Sequence, residues 1–151
     1  MNNKTKEKLY ESCQKLVDDR IKIVKEAIQS AQESANTETK STAGDKHDTS
    51  RAMMQLEVEQ KSKQLSEAEK LQQILAKFNP DSGKGCVGVG SLVITNTANY
   101  YISVSVGKIE IDGVIYFAVS PISPVAQALL GKKKGDDFTL NGAKNAIKEV
   151  L

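Results

Sequence analysis

Two long apolar stripes at helical spacing, separated by a polar break, constrain this chain more than anything else in it. In the first, Leu9, Cys13, Val17, Ile21, Val24, Ile28, Ala31 and Ala35 recur at steps of three or four, the pattern of an amphipathic helix and not of a strand. In the second, Met54, Val58, Leu65, Ala68, Leu71, Leu75 and Phe78 are set among charged and amide residues. Neither stripe is wide enough for the interior of a large core, so each helix needs a partner. The nearest is the other one, packed antiparallel at near-heptad spacing. The break from Asn36 to Asp48 is then the joint of a hairpin, and it ends in two carboxylates, Asp45 and Asp48. At ~1.5 Å per residue, an arm of roughly 30 residues reaches on the order of 45 Å. The expected joint is a tip.

Composition changes after Phe78. Asn79-Pro80-Asp81-Ser82-Gly83 is turn-rich, and beyond it glycine, valine and aromatic residues replace the glutamines and glutamates. The expected layout is a coiled-coil hairpin over 1–78 with its acidic tip near 36–50, a linker over 79–84, and a second domain over 85–151. About half of the 151 residues goes into the hairpin, which leaves roughly 70 for a compact unit with an economical core. Cys86–Ile94, Tyr100–Val106, Lys108–Ile111 and Val114–Val119 read as strands, with Asp112-Gly113 as a two-residue hairpin turn between the last two. Ser123-Pro124 supplies an N-cap and a proline at the first helical position, and Gly131 terminates the short helix they open. Phe138–Leu140 and Ala146–Leu151 flank Asn141-Gly142 as two last strands. The fold expected is α+β, an antiparallel coiled-coil hairpin followed by a small antiparallel sheet domain with one short helix.

Twenty-one basic residues against 19 acidic ones give a formal charge of +2, without the excess by which a protein holds nucleic acid through charge alone. Cys13 and Cys86 have no metal or redox spacing and read as small buried apolar groups in a reducing, cytoplasmic setting. The lysine-rich start, Met1 to Lys8, is followed by no apolar core of signal type, and no run approaches membrane-spanning length. A soluble, monomeric protein without a membrane partner is expected.

Val87-Gly88-Val89-Gly90-Ser91, then Ser123-Pro124 leading through Ala128-Leu129-Leu130-Gly131-Lys132-Lys133 to Gly135-Asp136, resembles the C-terminal domain of the bacterial GreA/GreB transcript cleavage factors. Gly44-Asp45-Lys46-His47-Asp48 is similar in place and spacing to the acidic tip of that family's N-terminal coiled coil. The resemblance spans nearly the whole chain. Where the family tip usually carries glutamate and an Asn-Ala-Glu-Tyr run, this chain has Asp48 followed by Thr49, Ser50, Arg51 and Ala52. The segment from Tyr100 to Ile111 also lacks the family's acidic Glu-Ala-Asp element, so the chain looks like a divergent branch.

The resemblance implies an FKBP-like second domain and a transcription elongation factor that acts on RNA polymerase rather than an enzyme in its own right. Such factors insert the coiled coil into the polymerase secondary channel and stimulate hydrolysis of the RNA 3′ end in backtracked complexes. Asp45 would help hold a second magnesium ion shared with the polymerase, and Asp48 would ligate it or position the attacking water. Partner contacts would fall to Arg51 and Met53 near the tip and to Ser123, Pro124, Leu130, Gly131 and Lys132 in the second domain. Each has a plainer role. Aspartate at a helix start caps it or complements its dipole; His47, with no second imidazole, reads as a surface residue; Met53 and Met54 suit helix packing; and Arg51 and Lys132-Lys133-Lys134 suit solvent. Two other functions compete: a channel-binding regulator that does not cleave, and a prolyl isomerase or chaperone module. The latter needs an apolar pocket floored by aromatics, for which Tyr100, Tyr101, Tyr116 and Phe117 are the candidates.

Overall fold

A computed structural model of the chain describes residues 3–40 and 45–151; residues 41–44, and the side chains of 3, 35 and 37–49, lie outside the described residues. The helical hairpin and the α+β class are both present. Helices α1 (Asn3–Lys40) and α2 (Asp45–Lys77) are followed by strands β1 (Leu92–Thr95), β2 (Asn99–Ile102), β3 (Gly107–Ile111) and β4 (Val114–Val119). Helix α3 (Pro124–Leu129) and strands β5 (Asp137–Leu140) and β6 (Ala143–Val150) complete the order. The strands form a six-stranded sheet in the order β3-β4-β2-β1-β6-β5, antiparallel except where β2 runs parallel to β4. Among the described residues, no helix is long and apolar enough to cross a membrane.

The chain divides into two compact units, Val17–Gln72 on one side and Met1–Leu16 with Gln73–Leu151 on the other. In the first unit, Val17, Ile21, Val24 and Ala31 of α1 are buried, as their spacing requires. The facing stripe of α2 is thinner: Ala68 is buried, but Met54, Val58, Leu65 and Leu71 are only half-buried. Half-buried Lys61 falls between Val58 and Leu65, where a heptad would place an apolar residue. The pairing is antiparallel. Gln72 donates to Asp18 (3.1 Å), while Gln32 and Asn36 share a groove with Gln55 and Glu59, so each step along α1 is matched by a step back along α2.

In the second unit, the sheet is covered on both faces. Residues Val93, Ile102, Phe138 and Ile147 from one face pack with Ala126 and Leu129 of α3 in a single cluster, to which Tyr100, Val119 and Leu130 are added at its border. Strand alternation sends Leu92, Tyr101, Tyr116 and Ala118 to the other face. There the roots of the hairpin close over them. Phe78 meets the Tyr101 ring edge-on (6.1 Å between centroids) and stacks on Tyr10 at 5.6 Å, and the Cys13 thiol lies 3.8 Å from the Ser103 hydroxyl. Lys6, also buried, donates its ammonium to the Ser82 carbonyl at 3.0 Å. Burial first, then the charge of Lys84, lowers its pKa, with Asp81 opposing.

The sheet departs from the sequence reading where glycines bend the backbone. Cys86–Ile94 is not one strand: β1 begins only at Leu92, because residues 88–91 form a turn closed by Ser91 N–H on the Gly88 carbonyl (3.1 Å) with Gly90 at φ +95°. Cys86 instead makes an isolated bridge to Lys133 and is exposed, not buried as expected, because the segment lies outside the sheet's strands there, whereas Cys13 is buried. The strand expected over Tyr100–Val106 stops at Ile102, where the backbone passes to Ser103, whose N–H donates to Val119. The last strand starts three residues earlier than expected, at Ala143. Asp112-Gly113 and Asn141-Gly142 both have two successive positive φ angles, 51° and 81°, then 53° and 78°. That is the two-residue hairpin geometry their sequences announce.

Two of these features yield predictions. A β-carbon at Gly90 would lie 2.8 Å from the Ser82 carbonyl oxygen, whereas one at Gly113 meets nothing within 4 Å. Gly113→Ala should therefore cost only the left-handed backbone, about 1–2 kcal/mol, and Gly90→Ala about 2–5 kcal/mol, as measured by urea unfolding. Burial pushes the Cys13 thiol from 9.0 to about 11, against the weaker pull of its Ser103 contact. The unfolded chain thus loses this proton before the folded one does, so the stability held below pH 9.0 should drain away as pH rises through about 11. The contribution is about 2–3 kcal/mol, and Cys13→Ala should flatten the alkaline fall of the unfolding free energy by that order.

Candidate functional site

The acidic pair sits at the start of α2, which opens at Asp45 and reaches Asp48 within its first turn. Positions three apart on a helix share a face, so the backbone brings both residues to one side at the joint end of the paired helices. Their side chains, like that of His47, lie outside the described residues, and Gly44 lies outside them altogether. Immediately beyond, Arg51 is exposed and Met53 is 67% exposed. Met54, one position on, turns into the helix seam. The α2 start therefore combines two carboxylates, a guanidinium and a free thioether within nine residues of chain.

The second group of candidates surrounds α3, and here the structure separates fold-making residues from presented ones. Ser123 caps the helix: its hydroxyl accepts from the Ala126 N–H at 3.3 Å and donates to the Ser120 carbonyl at 2.7 Å. Both its roles are spent inside the fold. Leu130 packs at the border of the core. Leu129 to Lys132 form a turn in which Leu130 has φ −52°, ψ 132° and Gly131 has φ +82°, closed by Lys132 N–H on the Leu129 carbonyl at 3.1 Å. A side chain at Gly131 would resist that conformation. The same turn grips the glycine-punctuated segment, since Gly131 N–H donates to the Val87 carbonyl (2.9 Å) and Val87 N–H to the Lys132 carbonyl (2.8 Å). The two stretches of this unit that resemble the family's C-terminal domain are thus bonded to each other. Pro124 is exposed. Lys134 pairs with Glu149 at 3.2 Å, on the surface.

Two presented features escaped the sequence reading. Ile122 is 85% exposed, the most exposed large apolar residue among those described. Its signal was the double Ser-Pro frame, Ser120-Pro121-Ile122-Ser123-Pro124, in which Pro121 and Ile122 are the central residues of a turn closed by the Ser123 N–H on the Ser120 carbonyl at 3.1 Å, so that Ile122 stands at its apex. The other is a sheet surface. Ile115 and Phe117 of β4, 41% and 36% exposed, point to the same face as Tyr100 and lie beyond the cover of α3, with the Phe117 and Tyr100 rings 6.2 Å apart. The sequence offered Tyr100, Tyr101, Tyr116 and Phe117 together as the floor of one pocket, but strand alternation puts Tyr100 and Phe117 on one face of the sheet and Tyr101 and Tyr116 on the other.

Among the described residues, no cluster of three or more histidine, cysteine, aspartate or glutamate side chains is arranged to hold a metal. No known family model matches the chain, and none of the curated proteins matches it.

Ser123→Ala should lower the unfolding free energy by about 1–2 kcal/mol through loss of the cap, while Ile122→Asp should leave it within about 0.5 kcal/mol. Urea titration of the two variants separates the residue that builds this corner from the one that it displays.

Proposed function

We propose that this protein is a transcription elongation factor of the GreA/GreB kind, which places its helical hairpin in the secondary channel of RNA polymerase and stimulates cleavage of backtracked RNA. The observation that carries this reading is the position of Asp45 and Asp48, in the first turn of α2 at the joint of two long antiparallel helices. A paired helical arm is narrow, ~20 Å across from two helices of ~10 Å, and its joint is the part that reaches deepest into a cavity. The acidic start of α2 is where a deep, metal-bearing site in a larger machine would meet oxygen ligands.

Two carboxylates at a solvated helix start make a poor magnesium site alone, since magnesium demands near-ideal octahedral geometry and gives up water reluctantly. They suffice as added ligands where the polymerase supplies the rest. A magnesium ion bound there would polarise a water for attack on the RNA 3′ phosphodiester. Asp45 would contribute ligand oxygens to it, and Asp48, one methylene shorter than glutamate, would ligate it or orient the water. Arg51 meets RNA phosphate or a polymerase carboxylate, and exposed Met53 gives an adaptable apolar contact with the channel wall. In the second unit, Ile122 and Pro124 form an exposed apolar corner suited to gripping the polymerase surface, held rigid by the Ser123 cap and the Leu130-Gly131-Lys132 turn. Such a factor works in the bacterial cytoplasm.

One observation favours a second reading, a channel-binding regulator without cleavage activity: the second acidic position is the shorter aspartate, in an altered sequence context. One experiment distinguishes the two. Added to a purified backtracked elongation complex with magnesium, the protein should shorten the RNA from its 3′ end, and Asp45→Asn should slow that by roughly 100-fold or more, the scale of losing a group that acts on the transition state. Asp48→Asn should slow it as well. Binding to polymerase without shortening would establish the regulator instead, and failure to bind polymerase at all would end both readings.

A further inference from the structure

We infer that the free edge of β3 is a self-pairing surface, on which a second copy of this chain docks strand against strand about a twofold axis through Ile109. β3 is one of the two edges of the sheet, hydrogen-bonded to β4 only. Because a two-residue turn makes Ile111 and Val114 a hydrogen-bonded pair, Ile109 and Gly107 also bond to β4, opposite Tyr116 and Ala118. The backbone N–H and carbonyl groups of Lys108 and Glu110 therefore point outward, away from the sheet. An outward row of this kind is a template for another strand.

The side chains on that template select its partner. Lys108 and Glu110 are two apart, so both rise on the face that carries Phe117 and Ile115, their cross-strand neighbours. Neither has a hydrogen bond or ion pair with another side chain among the described residues. Against most strands this alternation of charge is a deterrent. Against an antiparallel copy centred on Ile109 it is complementary, because Lys108 of each chain then stands directly opposite Glu110 of the other. The outward-bonding residues coincide with the complementary ones, so the same register satisfies backbone and side chains together. The apolar face of Ile115 and Phe117 becomes continuous across the pair.

The opposite edge offers no such match. In β5 the turn at Asn141-Gly142 leaves Asp137 and Thr139 facing outward, a twofold through Phe138 would set an aspartate against a threonine, and Asp137 already pairs with Lys144 at 3.3 Å. Self-complementarity belongs to β3 alone of the two edges. A strand of five residues buries less than the ~1,000 Å² of a stable interface, so the pairing is weak, concentration-dependent and open to displacement by another partner. It stands independently of any contact with polymerase.

The test is the molar mass of the full chain by light scattering and sedimentation, over a concentration series reaching about 1 mM. The wild type should pass from monomer to dimer within that range. Lys108→Glu and Glu110→Lys each place like charges opposite one another at both ends of the junction and should weaken the dimer by roughly tenfold or more, while the Lys108→Glu, Glu110→Lys double variant restores the match and the dimer. Circular dichroism of each variant confirms that the fold is intact. A wild type monomeric throughout, single variants that dimerise as the wild type does, or a double variant that fails to recover would each overturn the inference.

Discussion

The structure of the second unit depends on the burial of Tyr101 beneath the roots of the hairpin. Tyr101 is fully buried in the middle of the sheet, on the face that α3 does not cover. Phe78 and Tyr10, from the end of α2 and the start of α1, provide the aromatic surface over it. Its hydroxyl has no hydrogen-bond partner among the described residues, and burial raises its pKa, with Cys13 and Tyr10 adding to the shift. An unmet hydroxyl costs about 1–3 kcal/mol, yet a tyrosine buries on the order of 150–250 Å², worth about 4–6 kcal/mol at ~25 cal/mol per Å². The apolar term wins. The helices are therefore not an appendage tied to a finished domain, because the first turns of α1 and the end of α2 cover one of the two faces of the sheet.

That dependence explains which parts of the architecture were legible in the sequence. The stripes of α1 and α2 were, because a period near 3.6 sustained over eight residues such as Leu9 to Ala35 has no other stable use. The turns at Asp112-Gly113 and Asn141-Gly142 and the cap at Ser123 were, because each requires a local conformation that few residues adopt. The strand at Cys86–Ile94 was misread for an equally physical reason. Valines at 87, 89 and 93 mimic alternation, but Gly83, Gly85 and Gly90 all take positive φ, and the segment is pinned by Ser91 bonding to Gly88 and Gly83. Propensity counted the valines, while the glycines decided the path. Nothing local in the sequence assigns residues up to Leu16 and from Gln73 onward to the sheet's unit, since contacts such as Cys13 with Ser103 join positions 90 apart.

The candidate site divides along the same line. Asp45 and Asp48 were found by their place in a pattern, and the backbone keeps them together at the start of α2. Ser123, Leu130 and Gly131 were found by resemblance to a motif, and the structure gives each a role in making the corner: cap, core border and left-handed turn. A motif can persist because a fold needs it, so similarity at such positions speaks for shared architecture more than for a shared partner. Ile122, which no folding requirement explains, says more about contact. Its exposure leaves apolar surface in water that burial elsewhere would remove, and the turn it occupies, closed by the Ser123 N–H on the Ser120 carbonyl, holds it there.

The division of labour between the two units follows from what each can hold still. A two-helix arm with Lys61 in its seam and a half-buried stripe on α2 is bound by fewer apolar contacts than the doubly covered sheet. Metal chemistry needs ligand oxygens placed within a few tenths of an ångström, and a narrow arm cannot provide that alone. Under the proposed function, that placement would have to come from the polymerase cavity. The sheet unit has the opposite character, with a corner fixed by the Ser123 cap, the Leu129–Lys132 turn and the bonds from Val87. The proposed function would use the two units differently, the fixed corner for grip and the acidic start of α2 to lend ligands to another enzyme's active site.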